Sequence, residues 1–149
     1  MKIDPRLIHV KFLKRYKRFF SDVILNTKKI TVHCPNSGSM LGLLNEKNDA
    51  WISKSDNPNR KLKFTLEIIN DKKSNVGVNT HRANRIVEEA LNNRVIKELK
   101  KFSLVRREAV FSKETRFDFL LKNKNNKAFL EVKNVTLSRK KNISEFPDA

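Results

Sequence analysis

RFDFLLKNKNNKAFLEVK, residues 116–133, is a pair of short apolar runs around KNKNNK, a polar spacer unsuited to a core. Two β-favouring runs joined by such a spacer predict an antiparallel hairpin. Each run carries an acid, Asp118 in the first and Glu131 in the second, with Lys133 two residues beyond. Taking 122–127 as the loop sets Leu121 opposite Ala128, and the same register sets Asp118 opposite Glu131. Opposed side chains lie about 4.5–5.5 Å apart at Cβ, where like charges repel. Lys133 shares the face of Glu131, because side chains alternate along a strand. Two carboxylates so placed suit a hard divalent cation, Mg²⁺ or Mn²⁺, bound through oxygen. Such a cation polarises a phosphodiester, and a lysine steadies the charge that develops. The plain alternative is a Lys–acid cluster on a solvated sheet face, and a one-residue slip would part the acids.

Upstream of the hairpin the pattern divides the chain. From Leu7 to about Leu66, IHVKFLKRYKRFFSDVIL, KKITVHC, DAWIS and KLKFTLEII read as strands, separated by CPNSGSM and SKSDNPNR. Several short strands without helical periodicity predict a small barrel. The period then changes. In NTHRANRIVEEALNN, Ala83, Ile86, Val87, Ala90 and Leu91 recur at helical spacing, with Asn79 or Thr80 placed to cap the start. Val95, Ile96 and Leu99 predict a further helical turn, and SLVRREAVF, RFDFLL and AFLEVKNVTL three more strands. The expected class is α+β: a barrel domain over residues 1–78 and an α/β domain over 79–149.

Composition narrows the partners. The 149 residues hold 33 basic and 16 acidic side chains, a formal charge of +17. An excess this large attracts polyanions, of which nucleic acid is the commonest. RNA, DNA and an anionic membrane surface all satisfy charge alone, but no apolar run is long enough to cross a bilayer. DNA without sequence preference is the expected partner, RNA the alternative, and no membrane partner is expected. The basic N-terminus lacks the continuous apolar segment of a secretory signal. A single cysteine, Cys34, forms no internal disulfide and fits the reducing cytoplasm, where it reads as a small buried residue.

The basic side chains concentrate in KFLKRYKRFF, where Lys14, Arg15, Lys17 and Arg18 surround Tyr16, with Arg60 and Lys61 extending the patch. OB-type barrels bind single strands by pairing a basic groove with aromatic stacking. Tyr16 is the ring expected at the surface, because its hydroxyl wants water or a partner. Phenylalanines on strands are expected in the core. In CPNSGSM, Asn36 and Ser37 are placed to offer backbone N–H groups to phosphate, or the loop is a turn that needs Gly38. His9, His33 and His81 have no zinc-ligand spacing with Cys34. Three glycines form neither a P-loop nor a dinucleotide fingerprint, so no nucleotide or organic cofactor is expected.

Taken in order, RYKRFFSDV, HCPNSGSM, SDNPNRK followed by TLE, VNTHRAN, RFDFLL, EVKNVTL and the terminal FPDA resemble the sugar fermentation stimulation protein A family over essentially the whole chain. The resemblance implies an N-terminal OB-fold-like barrel joined to a PD-(D/E)xK nuclease-like domain. It further implies sequence-non-specific DNA binding and a regulatory link to sugar (maltose) use. The nuclease pattern falls on Asp118, then Glu131 and Lys133, with a helix acid at Glu88 or Glu89; the family motif favours Glu89. A Mg²⁺-dependent nuclease is therefore the second expectation, and an RNA-binding OB module the third. The family continues past FPDA with a helix bearing Thr-x-Arg-Gly-x-Lys and further strands, whereas this sequence stops at Ala149. The resemblance thus implies a nuclease-like domain shortened at its C-terminus, with residues beyond about 80 loosely packed on their own.

Overall fold

A computed structural model of the chain describes residues 6–140 and 143–146. The start of the basic N-terminus and the last three residues of FPDA lie outside that range. Five strands build the first unit: β1 (Leu7–Tyr16), β2 (Phe20–Leu25), β3 (Lys28–His33), β4 (Asp49–Lys54) and β5 (Phe64–Asn70). Their order is β3-β2-β1-β4-β5, and a parallel bridge between His33 and Thr65 joins β3 to β5 and closes the barrel. A short β6 (Asn75–Gly77) extends the sheet beside β5.

Alternation explains the closure. In β1, Val10 and Phe12 are buried while His9 and Lys11 face solvent. Val23, Val32, Ala50, Ile52, Leu66 and Ile69 meet them from the other strands as a contiguous core. Each of these side chains larger than Ala50 contributes roughly 1.5–3 kcal/mol when withdrawn from water. Cys34 sits in this core, its thiol 3.6 Å from the Met40 sulfur, and burial pushes its pKa up. It is the small buried residue the sequence suggested.

One irregularity sets which side chains of β1 face outward. Between Phe12 and Lys14 its pairing with β2 shifts by a residue. A β-bulge of this kind inverts the inside–outside phase of the residues beyond it. Without it, Lys14 and Tyr16 would share the inward face of Phe12.

The second unit runs His81–Lys133: α1 (His81–Asn92), a 3₁₀ turn at Lys97–Leu99, and an antiparallel sheet of β7 (Ser103–Val110), β8 (Arg116–Lys122) and β9 (Lys127–Leu130). Ala109, Phe119 and Leu121 are its buried hydrophobic residues. No residue of α1 is fully buried, and Ile86 on the expected apolar stripe is 49% exposed. The helical turn expected around Val95 contracts to the 3₁₀ turn, leaving Val95 exposed.

The described residues from Asn134 to Phe146 group with the barrel rather than with the hairpin before them. Asn134 donates to the Gly77 carbonyl at 3.2 Å, and Leu137 bridges to Glu145. No helix among the described residues is long and apolar enough to cross a membrane.

Candidate nucleic-acid interface

Register across β1, β2 and β3 builds one outward face. Tyr16 pairs with Phe20, and Phe20 with His33; Lys14 pairs with Asp22, and Asp22 with Thr31; Lys11 pairs with Ile24, and Ile24 with Lys29. The three rows run from aromatic at one end to basic at the other. The Tyr16 and Phe20 rings stack at 5.7 Å, and the Lys14 ammonium lies 5.5 Å from the Tyr16 centroid.

Asp22 holds the middle row together. It accepts from the Thr31 hydroxyl at 2.8 Å and the Tyr16 hydroxyl at 3.1 Å, with the Lys29 ammonium at 3.1 Å. Burial alone would raise its pKa. The hydrogen bonds from Thr31, Lys29 and Tyr16 outweigh burial and hold it below the ordinary 3.8. Tyr16 is thus half-buried with its hydroxyl engaged, a correction to the exposed platform expected of it.

The β1–β2 turn presents what Tyr16 does not. Lys17 and Arg18 take left-handed conformations, φ 46° and 59°, which non-glycine residues rarely adopt. Phe19 comes next, 43% exposed, its ring 6.4 Å from that of His33 and nearly parallel to it. The Phe19 carbonyl accepts from the Cys34 N–H at 2.9 Å, tying the turn to the end of β3.

Arg15 is corrected more sharply. Its guanidinium donates to three backbone carbonyls, those of Arg18 at 2.7 Å, Gly38 at 2.7 Å and Asn36 at 2.6 Å. It fastens the turn to the loop after β3 and is a positioning residue. That loop is also committed internally. The Asn36 N–H donates to the Cys34 carbonyl, the Gly38 N–H to Asn36 Oδ1, and the Asn36 amide to the Val78 carbonyl. Asn36 is buried and Ser37 is exposed, so the backbone donors expected for phosphate are largely spent on the turn.

Between β4 and β5, Arg60 donates to the Thr65 hydroxyl at 2.8 Å while Lys61 is exposed. Of the six cations the sequence pointed to, Lys14, Lys17, Arg18 and Lys61 are exposed, and Lys11 and Lys29 join the barrel face through strand pairing. Phe19 and Phe20, expected in the core, and His33 and Lys29, not expected at this site, belong to the face, because only strand pairing shows which residues share it.

In the second unit the hairpin pairs as expected, with Leu121 opposite Ala128 and a loop tightened to 123–126. Its last ladder pair, Phe119 with Leu130, stops one step short of Asp118 and Glu131. Asp118 instead accepts from the Val132 N–H and from the Asn84 amide of α1, each at 2.7 Å. Its carboxylate takes a backbone donor of the strand partner and ends the ladder there, which is why AFLEVKNVTL is a strand only to Leu130. Glu131 is exposed, with Lys133 at 2.7 Å. Glu88 lies 3.6 Å from Arg107, and Glu89 is exposed on α1. No group of three His, Cys, Asp or Glu side chains suited to a metal gathers among the described residues.

A closed five-stranded barrel with this pairing, followed by a helix and a sheet, defines an OB-fold protein carrying an appended α/β unit. Residues 13–78 match the family model described as the SfsA N-terminal OB domain, and residues 81–149 that of the sugar fermentation stimulation protein RE domain. The chain belongs to the sugar fermentation stimulation protein family. It is 53% identical over its full length to the sugar fermentation stimulation protein homolog of Pelagibacter ubique, spanning 64% of that relative. The Caulobacter vibrioides homolog is 41% identical, with 99% of this chain and 63% of the relative covered. The chain thus spans slightly less than two thirds of these relatives. Among solved structures it is similar to Pyrococcus furiosus SfsA in complex with Ca²⁺, with a TM-score of 0.76 at 20% identity, covering 88% of this chain and 55% of that one.

Proposed function

We propose that the protein binds DNA without sequence preference, and that the outward face of β1–β3 with its β1–β2 turn makes the contact. The observation that carries the reading is the composition of that face: two ring pairs beside Lys14, Lys17, Arg18 and Lys29, with Asp22 the one acid in its three rows. Phosphate neutralisation releases counterions, at about −0.9 in the logarithmic salt slope per duplex phosphate contacted. Four exposed cations of this face and turn, Lys14, Lys17, Arg18 and Lys29, give an expected slope of about −3.6. Titration of labelled duplex at several salt concentrations measures it. A salt-independent affinity, or no binding at physiological ionic strength, refutes the reading. The regulatory link to sugar use rests on the name the relatives carry.

A second reading, a Mg²⁺- or Mn²⁺-dependent phosphodiesterase in the nuclease-like unit, draws support from the Ca²⁺ complex of the Pyrococcus relative. The donor set here fits it poorly. Both Asp118 oxygens already accept hydrogen bonds and Glu131 is paired with Lys133. No hydrolytic step is assigned through a metal. Plasmid incubated with Mg²⁺ and either the protein or Asp118→Asn decides the matter: cutting by the first alone establishes a nuclease, and equal cutting by both excludes Asp118 chemistry.

A further inference from the structure

Resting on the DNA-binding reading, we propose that the β1–β2 turn is a preformed ledge for an unpaired base, so that the preferred ligand is single-stranded DNA. Phe19 carries the argument. A phenylalanine with 43% of its surface in water is stacked on one side against His33. Its neighbours Lys17 and Arg18 are exposed cations. Base-stacking ring and phosphate-binding charge thus occupy three consecutive residues, the pairing by which OB barrels hold single strands.

The turn is also held rigid. Two adjacent non-glycine residues at positive φ persist only where the surroundings enforce them. Three ties do so: Arg15 Nε on the Arg18 carbonyl, the Cys34 N–H on the Phe19 carbonyl, and the Phe19 N–H on the Lys17 carbonyl. A ring held in advance loses little freedom when a base arrives, and preorganisation of this kind raises affinity. Strand preference comes from the chemistry of the ring. In a duplex both faces of each base are already covered by neighbours, so Phe19 has no partner there. Duplex meets only the cations.

The test is fluorescence anisotropy on the full chain, with a labelled thymidine oligomer of about 12 nucleotides and a duplex of equal length at matched salt. The single strand is expected to bind more tightly. Phe19→Ala is expected to weaken single-strand binding between about 5-fold and 150-fold, the worth of one stacked base. Duplex affinity is expected to change less than about 2-fold, and Phe19→Trp to preserve both. Circular dichroism of each variant confirms the fold, and the Trp variant keeps the test informative if the alanine variant is unstable. Unchanged single-strand affinity in Phe19→Ala, or an equal loss on both ligands, overturns the ledge while leaving DNA binding intact. Absence of binding to either DNA by the unaltered protein overturns both readings together.

Discussion

Replacing Arg15 separates a positioning role from a phosphate-binding one. Its guanidinium makes three hydrogen bonds to carbonyls at 2.6–2.7 Å from a half-buried position. A hydrogen bond to a charged group contributes about 1.5–3 kcal/mol when shielded, and a neutral one about 1. Partial exposure places each of these near the lower figure, so Arg15→Ala is expected to cost about 3 kcal/mol in all. Lysine keeps the charge but lacks the planar fork and satisfies roughly one carbonyl, so Arg15→Lys recovers about 1 kcal/mol. The single tryptophan, Trp51 on β4, reports on the barrel during urea unfolding. At a slope of about 2 kcal/mol/M the alanine midpoint falls by about 1.5 M and the lysine midpoint by about 1 M. A phosphate-binding arginine would behave otherwise. Arg15→Lys would then unfold like the parent, and Arg15→Ala would lower the salt slope of DNA binding by about 1. An alanine shift under about 0.3 M, or a lysine variant as stable as the parent, refutes the clamp.

The carboxylate of Asp22 gives the barrel an acid-sensitive component. Its folded pKa lies below 3.8, so the contribution is present in full above that value and is lost as pH falls through the folded value. Asp22→Asn is expected to cost about 1–3 kcal/mol at neutral pH and to converge with the parent in acid. Parallel midpoint-against-pH curves would refute the assignment. The second unit, with three buried hydrophobic residues against the twelve of the barrel core, is expected to open more readily. Amides of β7 and β8 should exchange at least about tenfold faster than those of β1 and β4; equal protection would show that the thin packing suffices.

Much of this architecture was readable from residue pattern. Most barrel strands declared themselves by alternation, the helix by its period and the hairpin register by loop placement. IHVKFLKRYKRFFSDVIL, however, reads as one run and conceals the turn at 17–19 that divides it into β1 and β2, because that turn holds no Gly, Pro, Asn or Asp. The features that stayed hidden depended on local departures from period. The bulge between Phe12 and Lys14 turns the later part of β1 inside out, so RYKR cannot be assigned to faces by counting twos. Arg15 consequently looked like one more surface cation, although it ends among loop carbonyls distant in sequence. Asp118 was placed correctly in its strand, but the donors from Asn84 and Val132 come from other elements and leave no trace in its neighbours. The face that gathers Tyr16, Phe20 and His33 likewise exists only once three strands are aligned.

The barrel closes through one bridging pair, His33 with Thr65, and the ring of His33 is the one on which Phe19 rests. A single residue thereby serves as the clasp of the hoop and as the backing of its exposed ring. Whatever settles on Phe19 should lock the clasp by mass action, and loosening the clasp should blunt the grip in equal measure.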